Sequence, residues 1–476
     1  MIRSSALKGV HFVLLPAAAV WMMLAAGSVH AREGGSAPGQ AAGSNSLNRE
    51  ASVLSDSGTT SEVPSIDQTK TDEPDADEPV LFLDSAGPAP TQSPLGRGEE
   101  ISPDQTGGEE SAQASKPAER KASQDQRKWG LQFRSRLSIA YDDNIFITNT
   151  NRVGDAILTI TGGVSLVVGD WRSRSDNFLV ADYEASGIFY FENPDQDSFN
   201  QVASLAGQYR IQRLTVQLRS QYIDLTGPVR DVGDLTARTL INDSLRLAYD
   251  LSEKTALTAE GFVNLALYQN FFNSYEYGAK AGAEYQILQK IRVGPEAVIG
   301  FLNVTDSPFQ VYEQIRARAT YNATGKITFE GSAGLEFRQF SSESQTYFVF
   351  SLAANYQPFD GTTIALHGYR NIYGSAALEG QDFIATGVEL SFTQRFFQRF
   401  YLSVAAGYEN DDYIAVAENS QAGRVDNFVF IRPALAFAFT KRGSFSLFYE
   451  FRKNFSDESE FAFYDNRVGA AIAFQL

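Results

Sequence analysis

The sequence contains no cysteine among its 476 residues. That absence excludes disulfide bridges, thiolate metal sites and lipid attachment through an N-terminal cysteine. Histidine is almost as scarce, because two of its three copies, His11 and His30, lie in the first 31 residues and leave only His367 for the rest. No paired-histidine motif, Ser-His-Asp arrangement or phosphate-binding glycine loop occurs. We therefore predict that the protein is not an enzyme and uses neither a cofactor nor a metal.

Long apolar runs are also missing beyond the N-terminus. No later segment approaches eighteen consecutive apolar residues, which excludes membrane-spanning helices there. Aromatic residues and glycine are abundant instead, with Phe 35, Tyr 21 and Gly 38. Membrane β-barrels place aromatic residues in girdles at the two interfaces, and glycine suits turns and crowded stretches of wall. The composition therefore favours strands over helices.

Residues 1–31 have the pattern of a secretory signal peptide. Arg3 and Lys8 precede an apolar stretch at 10–26, and small residues at Val29 and Ala31 mark a cleavage site. A membrane anchor is the alternative interpretation. The cleavage site directly follows the apolar stretch and favours removal of the segment, so the mature chain is expected outside the cytoplasm.

Residues 32–127 are dominated by Gly, Ser, Pro, Gln and acidic residues, and they carry much of the formal net charge of −17. Acidic clusters such as 72–78 recur, and only the apolar patch at 80–83 could bury any surface. Four residues cannot offset the entropy cost of ordering the segment. We predict a disordered periplasmic segment, which is either a tether or a solvated leader, with 80–83 as a candidate docking motif.

From about residue 129 to 476, apolar and polar residues alternate in segments of about ten. In 443–455, for example, Phe445, Leu447 and Tyr449 share one face of an extended strand. The alternation predicts eighteen strands, near 131–141, 156–168, 177–190, 199–211, 214–224, 238–249, 255–267, 275–286, 290–303, 310–322, 326–338, 346–356, 362–372, 382–394, 399–409, 427–439, 444–454 and 462–476. Short connections alternate with longer polar ones, the clearest of which are 142–155, 225–237, 373–381 and 410–426. This pattern predicts an all-β fold, an antiparallel transmembrane β-barrel of the outer membrane with both termini in the periplasm.

The face opposite the apolar one carries charges of both signs. A lysine or arginine facing lipid at the bilayer midplane costs about 2–4 kcal/mol, so these side chains are predicted to face a wet lumen. About eighteen strands leave such a lumen open. The candidate pore-lining residues are Arg134, Arg136, Arg219, Arg246, Glu284, Arg316, Arg318, Glu336, Arg432 and Glu450. Two interpretations stay open, namely a basic track for an anionic polymer and ion pairing with acids of neighbouring strands.

The stretch Tyr141-Asp142-Asp143-Asn144-Ile145-Phe146 ends the first strand. Tyr141 suits the outer membrane interface, and the Asp and Asn residues favour a turn; binding of calcium or lipopolysaccharide is an alternative role for the acids. With the similar stretch at 407–413, it resembles the opening motif of the β-barrel porin 2 family of outer-membrane proteins, over roughly 129–476. The resemblance implies an outer-membrane barrel, and similar barrels are encoded with machinery for exopolysaccharide synthesis and export.

The leading function prediction, which comes from this resemblance, is the passive conduit of an exopolysaccharide export system. Its expected partners are outer-membrane lipid, lipopolysaccharide and periplasmic export components, without nucleic acid, and the sequence sets no oligomeric state. The alternative is a general or small-solute diffusion porin, and a third class is a structural or adhesion barrel closed by its loops. A long loop folded inward would favour a porin, with 225–237 and 410–426 as candidates.

Overall fold

Eighteen β-strands make up most of the chain that the structure describes. The computed structural model describes residues 129–169, 177–340, 344–417, 420 and 423–476. The predictions for 1–31 and 32–127 lie outside these residues. The strands are β1 (Trp129–Asp142), β2 (Asp155–Gly169), β3 (Phe178–Tyr190), β4 (Ser198–Ile211), β5 (Leu214–Val229), β6 (Asp234–Ser252), β7 (Thr255–Tyr268), β8 (Ser274–Leu288), β9 (Ile291–Val304), β10 (Gln310–Thr324), β11 (Ile327–Gln339), β12 (Ser344–Tyr356), β13 (Thr362–Gly374), β14 (Gln381–Phe396), β15 (Phe400–Ala415), β16 (Val425–Ala438), β17 (Gly443–Ser456) and β18 (Phe463–Gln475).

A short 3₁₀ turn, Pro194–Gln196, lies between β3 and β4. Across the described ranges, no helix has the length and apolar character needed to cross a membrane.

Each strand pairs antiparallel with its sequence neighbours, and β1 pairs with β18 to close the sheet. At this closure the Phe133 N–H donates to the Leu476 carbonyl (3.0 Å), and the Leu476 N–H donates to the Phe133 carbonyl (2.9 Å). Closure removes the free sheet edges that hydrocarbon does not tolerate. The predicted fold class is confirmed, with eighteen antiparallel strands in a closed barrel; β1 begins and β18 ends at the end that carries the short turns.

The predicted strands are all present, and most of their ends differ by a few residues. Two predicted connections are wrong in extent. β5 and β6 continue through most of 225–237, so only 230–233 join them, and β15 and β16 reduce 410–426 to a loop at 416–424. Outward side chains need not be apolar once a strand has passed the lipid, so the alternation used for prediction fades before the strands end.

Side chains alternate between two environments along the strands. In β1, Phe133 and Ile139 are each 51% exposed on the outer face, whereas Arg134 points inward to Asp182 of β3. Exposed aromatic side chains mark both ends of the outer face, with Tyr141, Tyr275, Tyr408 and Tyr464 near the loops and Trp129, Tyr209, Tyr249 and Tyr285 near the turns. These two bands match the interfacial girdles of a membrane barrel.

Gly334 of β11 lies where the wall leaves no room for a side chain. A methyl group there would overlap the backbone of Ile315 and Arg316 in β10. We expect Gly334→Ala to lower the free energy of unfolding by about 1–3 kcal/mol, because the backbone must move. The matched control is Gly261→Ala in β7, where an added methyl group meets nothing within 4 Å. Urea midpoints of unfolding measure the difference, and equal midpoints for the two variants would contradict the prediction.

Candidate functional site

The β5–β6 hairpin folds inward and reaches the opposite wall. Its tip, residues 230–233, meets β15, which lies ten strands away in one direction around the barrel (15 − 5) and eight in the other (18 − 10). The Arg230 guanidinium donates to the carboxylates of Glu409 and Asp411, both on β15. The hairpin tip therefore crosses the loop end of the lumen.

Seven polar side chains, which we call the tip cluster, hold this position. They are Arg230, Asp231, Glu409, Asp411, Tyr413, Arg424 and Asp426, all buried. The Tyr413 hydroxyl donates to Asp231 Oδ1 (2.5 Å), and Arg424 Nη1 donates to the backbone oxygen of Asp231 (2.8 Å). Arg424 Nε also donates to both oxygens of Asp426 (3.1 Å each). Charge-assisted bonds of this kind are roughly twice as strong as neutral ones, so the cluster fixes the tip firmly.

The Arg424 side chain, in the loop before β16, stays charged inside the tip cluster. Burial works to lower its pKa, but Tyr413, Asp426 and Asp231 outweigh burial and raise the pKa above its usual value. Because the guanidinium keeps its charge, it balances the carboxylates that surround it. Its contact with the hairpin tip is partly ionic, because Arg424 Nη1 also lies 3.6 Å from Asp231 Oδ1.

Apolar packing supports the same contact. Val229 and Val232 are fully buried and pack on Phe461 of the loop between β17 and β18. Phe271 and Ala377, from the loops after β7 and β13, cover the edge of this group. Loops from three other hairpins thus meet the β5–β6 tip.

The loop end of β13 and β14 also leaves the barrel wall. Pairing between β12 and β13 stops at Arg370, before β13 ends. In β14, Val388 is exposed on the outer face, yet Asp382, six residues earlier and of the same parity, is fully buried. Asp382 accepts hydrogen bonds from Arg338 Nη1 (2.8 Å) and Gln310 Nε2 (3.0 Å), on β11 and β10. This part of the hairpin therefore lies inside the barrel, against the inner face of β10 and β11.

The two inward hairpins meet over the mouth. Ser375 Oγ lies 3.3 Å from each carboxylate oxygen of Asp231. The Phe272 N–H donates to the Ala376 carbonyl (2.9 Å), which joins the loops after β7 and β13. The loop end of the lumen is thus constricted from both sides, and the constriction is charged.

Sequence reasoning named 225–237 and 410–426 as candidates for an inward loop but missed the residues that fix it. The structure shows that the first segment folds inward and that the second supplies its partners, Glu409 of the adjoining strand included. Nothing in the sequence singled out Arg230 and Asp231 at the tip, apart from their place in the polar connection 225–237. Its partners could not be read from spacing along the chain.

The predicted pore-lining residues face the interior, and most of them form ion pairs. Arg316 Nε and Arg318 Nη1 share the carboxylate of Glu296, at 2.9 and 3.3 Å. The other pairs are Arg134–Asp182, Arg246–Glu284 (3.9 Å), Glu336–Arg338 (2.7 Å) and Arg432–Glu450 (2.5 Å). Arg136 lies on the same face of β1 as Arg134. Among the described residues, only Arg219 of this predicted set has a side chain without an ion pair or hydrogen bond.

These contacts bear on the two interpretations of the charged face. Acids from neighbouring or next-neighbouring strands neutralise most of the predicted arginines, as Glu296 of β9 does for two of them. Ion pairing therefore accounts for more of these residues than a continuous basic track does.

The Tyr141–Phe146 stretch fastens the seam between β1 and β18. Asp143 Oδ1 and Oδ2 accept hydrogen bonds from the backbone N–H and the side-chain amide of Asn466 (2.9 Å each). Asn144 Nδ2 donates to the Tyr464 carbonyl (3.0 Å). Tyr141 is 53% exposed in the outer girdle. The stretch thus joins the two terminal strands of the barrel.

Of the remaining members of the stretch, Asp142 and Ile145 are buried and Phe146 is half-buried. Asp142 Oδ1 accepts the Asn144 N–H (2.8 Å), and Ile145 belongs to a buried apolar group that Phe146 flanks. Carboxylate oxygens of Asp142, Asp143 and Asp465 lie within 4.8 Å of one another. Arginines already balance two of these acids, because Arg452 Nε donates to Asp465 (2.8 Å) and Arg152 Nη1 to Asp143 (3.1 Å).

The closed sheet of eighteen strands, with girdles outside and charges inside, defines a porin-like β-barrel channel of the bacterial outer membrane. No family model matches the chain, and no curated protein sequence matches it.

The solved structures to which the chain is similar include proteins of Pseudomonas aeruginosa and Acinetobacter baumannii. The outer membrane protein OpdK from Pseudomonas aeruginosa has a TM-score of 0.37 and 12% identity, over 73% of this chain and 98% of that chain. OccAB4 from Acinetobacter baumannii has a TM-score of 0.40 and 11% identity, over 74% of this chain and 100% of that chain. Pseudomonas aeruginosa OpdQ has a TM-score of 0.39 and 9% identity, over 73% of this chain and 97% of that chain. The strand pairing, and not these similarities, defines the fold.

Asn144 anchors the seam through several bonds at once. It is fully buried, its amide donates to the carbonyls of Thr148 (2.9 Å) and Tyr464, and its Oδ1 accepts the Thr148 N–H (3.0 Å). We expect Asn144→Ala to cost about 1–3 kcal/mol of unfolding free energy, because buried partners lose their bonds. Asn149→Ala is the control, since exposed Asn149 makes one bond, to Ser459 (2.7 Å). Heat-modifiable gel mobility measures both, and an equal loss in both variants would argue against a seam role.

Arg230 bonds to two carboxylates of β15, and Asp231 beside it accepts one further bond from Tyr413 of the same strand. Loss of a bond to a charged group costs about 1.5–3 kcal/mol, so Arg230→Gln should expose the tip about 10–100-fold more often. Because the chain has no cysteine, a single Val232→Cys reporter gives the only thiol. We expect a membrane-impermeant maleimide to label this thiol correspondingly faster when Arg230 is replaced. Arg219→Gln, which should leave the labelling rate unchanged, is the control. Equal rates with Arg230 and with Gln at position 230 would show that Arg230 does not hold the tip.

Proposed function

We propose that the protein is a diffusion porin for small hydrophilic solutes. The observation that carries the proposal is the β5–β6 hairpin, which lies across the mouth and is bonded through Arg230 to β15 on the far wall. Eighteen strands alone would enclose a wide aqueous lumen. A hairpin across that lumen narrows it, so that small solutes pass and bulky polymers do not.

Export of an exopolysaccharide, which was the leading prediction from the sequence, has less support. That prediction came from the resemblance at 141–146, and these residues join β1 to β18 instead of lining a path. A polymer conduit needs an open mouth, whereas two hairpins meet over it at Asp231 and Ser375. The ion-paired inner wall also leaves few cations to guide a polyanion. The small-solute alternative therefore fits the geometry better.

The test measures ion current through the full chain, purified from outer membranes and placed in a planar bilayer. We expect discrete channels whose conductance rises when Arg230→Gln loosens the hairpin tip. In liposome swelling, the parent should admit monosaccharides faster than larger sugars, and the variant should relax this size dependence. Asn149→Ala, which changes a loop away from the tip cluster, should leave both measurements unchanged.

Two outcomes would overturn the proposal. Length-dependent block of the current by an anionic polysaccharide, added on the turn side, would return the assignment to export. Absence of current both in the parent and in Arg230→Gln would favour a structural barrel closed by its loops.

A further inference from the structure

The turn end of the barrel carries a ring of exposed cations. Six of the described turns contribute them, and we call this set the basic ring: Arg213, Lys254, Lys290, Lys326, Arg399, Lys441 and Arg442. The same turns hold only two carboxylates, Glu253 and Asp360, which leaves an excess of five positive charges (7 − 2). Such a concentration of one sign at one end of a barrel makes a strong local potential.

Two members of the basic ring, Lys290 and Lys326, bond to backbone carbonyls of neighbouring turns. Lys290 Nζ donates to the Ala323 carbonyl (2.8 Å), and Lys326 Nζ donates to the Pro358 carbonyl (2.9 Å). A carbonyl satisfies a hydrogen bond but does not cancel a charge. Among the described residues, no carboxylate forms an ion pair with Lys290, Lys326, Arg213 or Lys254.

The loop end has the opposite character. Its described loops hold ten acids, Asp143, Glu192, Asp195, Asp197, Asp231, Asp306, Glu379, Asp457, Glu458 and Glu460, against three cations, Arg152, Arg230 and Arg424. The basic ring is therefore a property of one rim only. A partner that it attracts must be acidic and must reach the turn end.

An acidic segment of this chain is joined to that end. Trp129, the first residue of β1, pairs with Val168 near the end of β2, so the covalent link to the preceding chain lies at the turn end. Residues 50–110 contain fifteen Asp and Glu and only two Lys and Arg. The linker between this acidic segment and β1 has eighteen residues, 111–128, and can span at most about 60 Å. An eighteen-stranded barrel is roughly 35 Å across, so every turn lies within reach.

We propose that residues 50–110 dock on the basic ring. The two surfaces have opposite sign, they meet at one end of the barrel, and their covalent link keeps the local concentration of the acidic segment high. Attraction between exposed charges acts over a Debye length, about 8 Å at physiological ionic strength, and weakens with salt. The docked segment lies at the periplasmic mouth, where a solute leaves or enters the lumen.

The experiment measures distances in the full chain, reconstituted in nanodiscs of zwitterionic lipid. Spin labels are attached at Ala76→Cys in the acidic segment and at Gly325→Cys in the β10–β11 turn, where an added side chain meets nothing within 4 Å. We expect a population of distances below about 40 Å that falls several-fold between 0.05 M and 1 M salt. Replacing Arg213, Lys254, Lys290 and Lys326 by Glu should remove this population at low salt.

Two further variants keep the test independent of barrel folding. Neutralising the acids of 72–78 as Asn and Gln leaves the barrel sequence intact and should remove the same population. The matched control replaces four exposed acids of the loop end, Glu192, Asp195, Glu379 and Glu460, by Lys and should leave the distances unchanged.

Distances that ignore both salt and the neutralised acidic segment would overturn the proposal. It would also be overturned if the short distances vanished in nanodiscs that contain phosphatidylglycerol, which would assign the basic ring to anionic lipid. The distances report docking whether or not the barrel conducts, so failure here is separable from failure of the porin assignment.

Discussion

The structure depends on one constraint, that every backbone polar group crossing hydrocarbon must find its partner within the protein. A single sheet meets this requirement only when its first and last strands pair, as β1 and β18 do through Phe133 and Leu476. Side chains reinforce the same seam, because Asp143 and Asn144 bind residues of β18. In the closed barrel the outer face meets lipid and the inner face meets the lumen. The outer face is therefore apolar with aromatic girdles, and the inner face carries the charges.

The lipid is also the reason that the sequence alone could place all eighteen strands. The surrounding lipid requires an apolar side chain at every second residue of a strand, and that alternation is visible in the sequence. Beyond the lipid the requirement ends, so the sequence predicts a loop where β5 and β6 in fact continue as strands. The alternation does not predict the register in which neighbouring strands pair. Whether Arg316 meets Glu296 depends on how β9 and β10 align, and a slip of one residue would turn both side chains to the other face.

The contacts that form the constriction could not be predicted from the sequence, because they join distant parts of the chain. Arg230 and Glu409 are 179 residues apart, and neither periodicity nor spacing relates them. A buried ionic network adds little net stability, yet loss of one partner leaves an uncompensated charge and is costly. The tip cluster therefore acts mainly to fix one position for the hairpin. That position, and not the barrel wall, is the basis for proposing a selective channel over an open conduit.

The two ends of the lumen are thus set by electrostatics of different kinds. At the loop end, Arg230 and Arg424 are buried with their carboxylates, and salt screens buried pairs only weakly. At the turn end, Lys290 and Lys326 are exposed, and the attraction proposed between them and the acidic segment would weaken as salt rises. Ionic strength therefore acts on one end and spares the other. We therefore expect the constriction at the loop end to keep its width as salt rises. The approach of solutes to the turn end should change with salt, because the basic ring is exposed there.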